Sequence, residues 1–401
     1  GAAALRRLEA SRQRDITAYL QRISMPRPVL ATAPLEEDAA VWYKRAIAAA
    51  ASRLSRADNI ALGSDFDDVG ALERRFGDRC GDAELLLRGA RCSHCDWGLT
   101  FQRPEPTDPT TILMPARFLA YCLVQEGARR ADASDWHGAL TAHFAALRFA
   151  GDLRLNNLLG GLIGIDVARM GLAGLGRLIT NVDPADASVL QTLERDLGKF
   201  APHVLGFGEG PVVERLELFA LLESEAQQHA TARQGGLGRL VPWRAGTAYR
   251  MYQIDNLLRR AGAVVTTEGY DMRLRLAVAV DAEAAANRSP ILRATAPAQW
   301  WFRLRENADA LVECYRMVQV AVRLEEWHGL HGQYPDDTPA LRVPFDMGKL
   351  EYVALAERQG YRLQSLSVRA SVRSSARFVL ERRPRPASPV KGSKTQAPAL
   401  P

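Results

Sequence analysis

The chain lacks a hydrophobic run long enough to cross a membrane. A spanning helix needs about 20 mostly apolar residues without charges, and the most apolar segment, residues 152–180, is interrupted by Asp166, Arg169 and Arg177. Leucines and isoleucines recur there at helical spacing, with glycines between them. This pattern is typical of a helix that other helices contact on most sides. We therefore predict one buried helix over residues 152–180.

Recognisable catalytic and cofactor motifs are also missing. No serine lies in a G-x-S-x-G setting, which is the signature of the hydrolase nucleophile. The glycine-rich segment GFGEG at residues 206–210 has neither the third glycine of the dinucleotide fingerprint nor the lysine–serine pair of a P-loop. The sequence therefore favours a protein without enzymatic activity, and it predicts no catalytic residue, cofactor or metal.

Aromatic residues are sparse and the excess of positive charge is small. Aromatic residues make up 7% of the chain and the net charge is +6. No helical pattern shows the stripe of lysine and arginine, interleaved with aromatics, that nucleic-acid binding requires. The sequence therefore argues against a nucleic-acid partner. Alanine, leucine and arginine are abundant instead, and this composition favours helices.

The chain contains only five cysteines: Cys80, Cys92, Cys95, Cys122 and Cys314. The first three cluster around the segment RCSHCDW and, with His94, are the residue types of a zinc site. The spacing fits no common zinc module, however, and no second C-x-x-C follows. In an oxidising compartment Cys80 would pair with Cys92 or Cys95 in a disulfide; otherwise the three are free thiols. The last two cysteines lie on helical patterns and are predicted to pack in the core.

Changes in sequence texture divide the chain into four parts. Residues 1–34 read as a charged stalk helix followed by a proline-rich linker, and residues 35–305 as a helical bundle. Residues 306–383 read as a long helix followed by three short alternating runs, which predict a small antiparallel sheet. Residues 384–401 are rich in proline, serine and lysine and are predicted to be disordered.

One helix of the bundle resembles a tetratricopeptide helix. The segment DWHGALTAHFAAL, residues 135–147, has the required pattern of tryptophan, alanine and leucine. No second copy occurs at a 34-residue offset, so a regular repeat array is not predicted. The predicted fold class is therefore mainly α: an irregular, TPR-like bundle of helical hairpins, closed by a small C-terminal α+β module whose antiparallel meander has about three strands.

Two stretches together resemble a known group of proteins. Residues 95–165, which begin CDWGL, and residues 313–366, which contain HGQYPDD, resemble uncharacterised bacterial proteins that are often membrane-anchored and exported. The second stretch is also similar to the globular end of type II secretion pseudopilins, where a helix lies against a small sheet. The resemblance implies a fold and export, and it implies no activity. Because Val343 replaces the aspartate of the group's DPF turn, calcium binding of the pseudopilin kind is not predicted.

From these observations we predict a non-enzymatic scaffold or interaction protein of the bacterial cell envelope, with a protein partner there. The predicted location is the periplasm or the outer side of the inner membrane. The chain begins at Gly1, so we expect a preceding segment, which would have to supply any membrane attachment. Arginines near the start count mildly against export, so a cytoplasmic location stays the alternative: Arg6, Arg7, Arg12 and Arg14.

A second function remains open alongside the scaffold. It is an enzyme or small-ligand-binding protein with a pocket between the helical bundle and the C-terminal module. Ionisable and aromatic side chains near the HGQYP segment and the WW pair would line that pocket or form a partner surface: Trp301, His328, His331 and Tyr334. A polar pocket in which ionisable groups converge would favour this alternative.

Overall fold

The architecture comes from a computed structural model, which describes residues 2–30, 34–64, 69–81, 83–98, 109–154, 158–182, 186–206, 216, 243–286, 298–337, 341, 343, 350–365 and 379–383. The described residues are mainly helical, with a small antiparallel sheet of three strands near the C-terminus. The predicted fold class is confirmed at this level. The predicted disordered tail, residues 384–401, and the segment GFGEG beyond Gly206 lie outside the described residues.

The first third of the chain contains helices α1 to α5 and a two-stranded parallel sheet. The bounds are α1 Ala2–Ile23, β1 Leu35–Asp38, α2 Ala39–Arg53, α3 Arg56–Ser64, α4 Val69–Phe76, α5 Ala83–Gly89 and β2 Cys92–His94. The side chain of Asp38 caps α2 by accepting a hydrogen bond from the amide of Ala40 at 2.9 Å. From the sequence alone, the stretch from the end of α2 to about Pro109 is expected to be rich in loops. Three short helices lie there instead, and they bury Leu62, Leu72 and Leu86.

Four longer helices form the centre of the bundle: α6 Pro109–Asp132, α7 Trp136–Leu153, α8 Leu158–Asn181 and α9 Ala187–Leu205. Asp135 caps α7 through a hydrogen bond from the amide of Gly138 at 2.9 Å. The prediction of one helix over residues 152–180 was wrong at its start. Asp152 belongs to α7, where it forms an ion pair with Arg148 one turn earlier.

Glycines let α6, α7 and α8 approach one another closely. A Cβ atom on Gly164 of α8 would lie 2.7 Å from the carbonyl oxygen of Ala150 in α7. The ring of His143 in α7 lies against Gly127 of α6 on one side and Gly174 of α8 on the other, where added Cβ atoms would come within 2.5 and 2.4 Å of ring atoms. The glycines that interrupt the central helix thus have a packing role, as the sequence predicted.

The last part of the chain contains helices α10 to α12 and the three-stranded sheet. The bounds are α10 Trp243–Thr266, α11 Tyr270–Ala286, α12 Ala298–His331, β3 Leu350–Leu355, β4 Gly360–Ser365 and β5 Val379–Arg382. Strand β4 lies in the middle and pairs antiparallel with both neighbours. Helix α12 begins nine residues before the predicted start at residue 307, because its first turns bury Trp301 and Leu304.

Among the helices within the described ranges, none has the length and apolar character needed to cross a membrane.

Candidate functional site

A cluster of buried polar groups surrounds Asp152, and we call it the Asp152 centre. The Asp152 carboxylate accepts hydrogen bonds from Arg148 Nε at 2.7 Å and from the Tyr43 hydroxyl at 3.1 Å. Its Oδ1 lies 3.3 Å from His203 Nε2. The indole N–H of Trp97 donates to the Asp152 carbonyl at 2.7 Å. The centre therefore connects α2, the segment after β2, α7 and α9.

Local sequence explains how α7 brings two charges into the core. Arg148 and Asp152 are four residues apart in the segment FAALRFAGDL, so their side chains meet on one face of the helix. Both side chains are fully buried. Arg148 Nη1 also donates to the carbonyl oxygen of Pro28 at 2.7 Å, which ties the proline-rich linker to the bundle. Buried charges are stable only when they are paired and hydrogen-bonded in this way.

The electrostatics of the centre fix the charge on each group. Burial acts to raise the pKa of Asp152, but Arg148 and His203 outweigh it and hold that pKa well below its ordinary value. Burial lowers the pKa of His203, and the opposing effect of Asp152 does not restore it. Burial, and secondly Asp152, raises the pKa of Tyr43 far above its ordinary value. Asp152 is thus an anion, while His203 and Tyr43 are neutral hydrogen-bonding groups.

These side chains are of the kinds found in acid–base catalytic sites, but a substrate cannot reach them from solvent. Tyr43, Arg148 and Asp152 have no exposed surface, and His203 is 8% exposed. A catalytic group must come within hydrogen-bond reach of a substrate, and packed helices separate this centre from solvent. The arrangement joins five segments of the chain, and its role is structural.

The four side chains predicted to form a ligand or partner surface do not lie together. Trp301 is buried in the first turns of α12, about 40 Å along the helix axis from His328. The rings of His328 and Tyr334 are 4.5 Å apart. His331 is exposed and stacks on Trp327 at 4.0 Å. The structure thus brings together His328 and Tyr334, with His331 one turn away, and it separates Trp301 from them.

Tyr334 belongs to a second buried polar group, which we call the Glu325 centre. Its hydroxyl donates to the Glu325 carboxylate, with both oxygens at 3.1 Å. The ring of Tyr361 from β4 packs edge-on against Tyr334 at 5.0 Å. Burial, and secondly Glu325, raises the pKa of Tyr334. These side chains fill the junction of α12 with the sheet.

Arg382 of β5 completes the Glu325 centre. Its Nη1 donates to the carbonyl oxygens of Ile179 at 3.2 Å, Thr180 at 2.8 Å and Val182 at 2.9 Å. The same atom lies 3.6 Å from the Glu325 carboxylate. Carbonyl groups at a helix C-terminus lack intrahelical partners and attract positive charge. Arg382 therefore attaches the C-terminal sheet to the end of α8.

All five cysteines are free thiols in the structure, and they lie in different parts of the fold. Cys92 and Cys95 are buried beside the Asp152 centre, and burial raises the pKa of both thiols, that of Cys92 to about 11. Cys80 instead interacts with Cys122 of α6, and this interaction, followed by burial, raises the pKa of the Cys122 thiol. Within the described part of the chain, no group of three or more histidine, cysteine, aspartate or glutamate side chains is placed to hold a metal ion.

An open cleft of about 440 Å³ lies between the end of α1 and the β2 segment. Its lining combines apolar residues of the α1 end with polar residues of the RCSHCDW segment: Leu20, Ile23, Ser24, Pro26, Ser93, His94 and Asp96. None of the four residues predicted to line a ligand pocket, Trp301, His328, His331 and Tyr334, lines this cleft.

In comparisons with known proteins, no family model, curated protein or solved structure matches this chain. The candidate sites are therefore inferred from the residues of this chain alone. Sequence reasoning missed the Asp152 centre, although an arginine and an aspartate at i and i+4 inside an apolar run were a visible signal. It also could not find the partners of that pair, because Tyr43 and His203 lie 109 and 51 residues from Asp152.

Proposed function

We propose that this protein is a non-enzymatic scaffold of the bacterial cell envelope that binds a protein partner through the outward face of α11. The single observation that carries the proposal is the distribution of side chains around that helix. Leu274 and Val278 are 40% and 60% exposed, and Ala282 and Ala285 are exposed as well. Spaced at i, i+4, i+8 and i+11, these residues form one apolar stripe on the solvent side. We call it the α11 stripe.

The inward face of the same helix is less apolar than a core helix requires. Its buried residues are Arg273, Ala277, Val280 and Ala284, and Leu276 is partly buried against the core. Arg273 forms ion pairs with Glu306 at 2.9 Å and with Asp309 at 3.1 Å, both on α12. A surface helix ordinarily places its larger apolar side chains inward. In α11 three of them, Met272, Leu274 and Val278, are exposed instead, which supports a contact with another protein.

The cell envelope enters the proposal through the resemblance to exported bacterial proteins described above. The periplasm, or the outer face of the inner membrane, is the compartment in which such a partner would be found. Helical hairpin stacks are frequently used to present surfaces to other proteins, which agrees with a scaffold.

The alternative of a ligand pocket between the bundle and the C-terminal module has less support. Tyr334, Tyr361 and Glu325 occupy that junction and are at most 1% exposed. The Tyr334 hydroxyl donates to the Glu325 carboxylate, which also lies 3.6 Å from Arg382 Nη1. A small molecule would have to displace these side chains before it could bind there.

The test is crosslinking in native cells, followed by mass spectrometry of the proteins that co-purify with the tagged chain. The variant Leu274→Glu/Val278→Glu places two charges on the α11 stripe, and we expect it to lose an envelope partner that the wild type captures. Ile60→Glu on α3 is the matched control, because Ile60 is 65% exposed and lies outside the stripe. Circular dichroism checks that both variants fold. Equal capture by the two variants would contradict the proposed surface.

A further inference from the structure

The thiols of Cys80 and Cys122 lie in a packed contact between α4 and α6. Phe76, the last residue of α4, packs edge-on against Phe118 of α6 with ring centroids 5.5 Å apart. Cys80 follows Phe76 by four residues, with its sulfur 3.9 Å from the Phe76 carbonyl oxygen. Cys122 follows Phe118 by four residues on α6. The contact between the two rings therefore brings the segment that carries Cys80 close to the part of α6 that carries Cys122.

The two thiols also differ in their access to solvent. Cys80 is partly exposed, whereas Cys122 is 1% exposed. The interaction with Cys80, and secondly burial, raises the pKa of the Cys122 thiol. An accessible thiol beside a buried partner is the usual arrangement for a reaction in which the first thiol meets an external oxidant and the second resolves the product.

We propose that Cys80 and Cys122 form a disulfide when the protein meets a small-molecule disulfide such as oxidised glutathione. The Cys80 thiolate attacks one glutathione sulfur, a mixed disulfide forms at Cys80, and one glutathione thiolate leaves. The Cys122 thiolate then attacks the sulfur of Cys80, and the second glutathione leaves. The two protein thiols lose two protons and two electrons, and one glutathione disulfide becomes two glutathione thiols.

This pairing differs from the one that the sequence suggested. Proximity along the chain favoured a bridge from Cys80 to Cys92 or Cys95, but both of those thiols are buried, and after burial the charge of Asp152 contributes to raising their pKa. Cys80 lies instead beside Tyr121 and Cys122. A Cys80–Cys122 bond would fix the turn after α4 to the centre of α6. It would also close a loop of the chain that contains α5 and β2.

Peptide mapping of the full chain tests the proposal. Trypsin cleavage separates the cysteines into three peptides. Peptide 80–88 contains Cys80, peptide 92–117 contains both Cys92 and Cys95, and peptide 118–129 contains Cys122. After incubation with oxidised glutathione and alkylation, we expect peptides 80–88 and 118–129 to be linked until reduction. The oxidised protein should also melt several degrees above the reduced one, because the bond restricts the unfolded chain.

Three results would overturn the proposal. They are a link from peptide 80–88 to 92–117, a stable glutathione adduct on Cys80, and full alkylation of Cys80 after oxidation. The variant Cys92→Ser/Cys95→Ser is the matched control and should keep the link. Cys122→Ala should lose both the link and the rise in melting temperature. If Cys122→Ala does not fold, the wild-type map together with the double variant still decides the pairing.

Discussion

The Arg148 guanidinium and the Asp152 carboxylate form an ion pair at 2.7 Å in which neither side chain has any exposed surface. Removing two charges from water costs several kcal/mol per ion, and the loss is offset only when further hydrogen bonds satisfy both groups. Here Tyr43 and Pro28 supply such bonds, and His203 Nε2 lies 3.3 Å from Asp152 Oδ1. The pair is therefore the point at which α7 is joined to α2, α9 and the linker.

Breaking this pair from one side should destabilise the protein strongly. Asp152→Asn leaves the Arg148 guanidinium charged, buried and without its counterion. We expect the free energy of unfolding to fall by about 3–5 kcal/mol, as measured by urea denaturation followed by circular dichroism. Replacing both groups together, as Arg148→Met/Asp152→Leu, should recover most of that loss, because no uncompensated charge then remains in the core.

Asp196→Asn is the control for the Asp152 experiment. Asp196 pairs with Arg195 at 2.9 Å, but the Arg195 side chain is 71% exposed. Surface pairs of this kind contribute at most about 1 kcal/mol. If Asp152→Asn were no more destabilising than Asp196→Asn, the Asp152 centre would not be the structural junction described above.

Stability should fall as the pH drops from neutrality, and His143 is one cause. Burial, and secondly the nearby Arg177, lowers the pKa of His143 to about 3. Because the unfolded chain protonates this residue near pH 6.5, the unfolded state binds more protons below that pH. The contribution of His143 is thus complete above pH 6.5 and is lost progressively toward pH 3. Between pH 7 and pH 5 this group alone should remove about 2 kcal/mol.

Comparison of two histidine variants isolates that effect. His143→Leu cannot become charged, so the difference in unfolding free energy between pH 7 and pH 5 should shrink by about 2 kcal/mol. Part of the dependence should remain, because burial also lowers the pKa of His203. His137 is exposed on the same helix, and His137→Gln should leave the dependence as in the wild type. Equal pH profiles for His143→Leu and wild type would refute this account.

Two glycine substitutions should have opposite signs. A Cβ atom on Gly164 would lie 2.7 Å from the Ala150 carbonyl oxygen and 2.8 Å from Arg154 Cγ. We expect Gly164→Ala to lower the free energy of unfolding by about 1–3 kcal/mol, and Gly164→Leu by at least as much, since the core is already filled. Gly198 on α9 has no neighbour within 4 Å of such an atom. Gly198→Ala should therefore raise the free energy of unfolding by up to about 1 kcal/mol.

The mainly helical fold and its C-terminal sheet could be predicted because their signals are local. Alternation of apolar residues marks β3 to β5, and Ser134 and Asp135 mark the start of α7. The start of α8 was predicted too early, at Asp152, because an aspartate commonly caps a helix. Asp152 lies inside α7 instead, where the ion pair with Arg148 one turn earlier allows its carboxylate to be buried. Short helices between α2 and β2 were missed because each has only two or three apolar positions.

The candidate sites could be predicted less well, because their partners are distant in sequence. The rings of Tyr334 and His328 lie 4.5 Å apart, because a short turn joins these residues. Trp301 was grouped with them only by composition, and 30 residues of helix separate it from His331. The partner of Cys80 was taken as its neighbour in sequence, whereas packing of Phe76 on Phe118 brings Cys122 to it instead. Such pairings depend on how helices pack, which no short segment encodes.

The attachment of the C-terminal sheet to the bundle should depend on Arg382. Arg382→Leu removes the donor to three carbonyl groups at the end of α8 and leaves the Glu325 carboxylate buried beside an apolar side chain. We expect the free energy of unfolding to fall by about 3–5 kcal/mol. Arg382→Lys keeps the charge but has a single ammonium group on a flexible stem, so it should retain only part of the stability.

Two C-terminal truncations test the attachment of the sheet to α8 without a substitution in the core. Deleting residues 384–401 keeps β5, and the melting temperature should stay within about 1 °C of the wild type because the deleted segment is too polar to add to the core. Deleting residues 382–401 removes Arg382 as well and should lower the melting temperature by several degrees. Differential scanning calorimetry of the two truncations measures both. A similar melting temperature for the two would mean that Arg382 does not hold the sheet against α8, and that the apolar contact between Leu380 and Gly176 is sufficient.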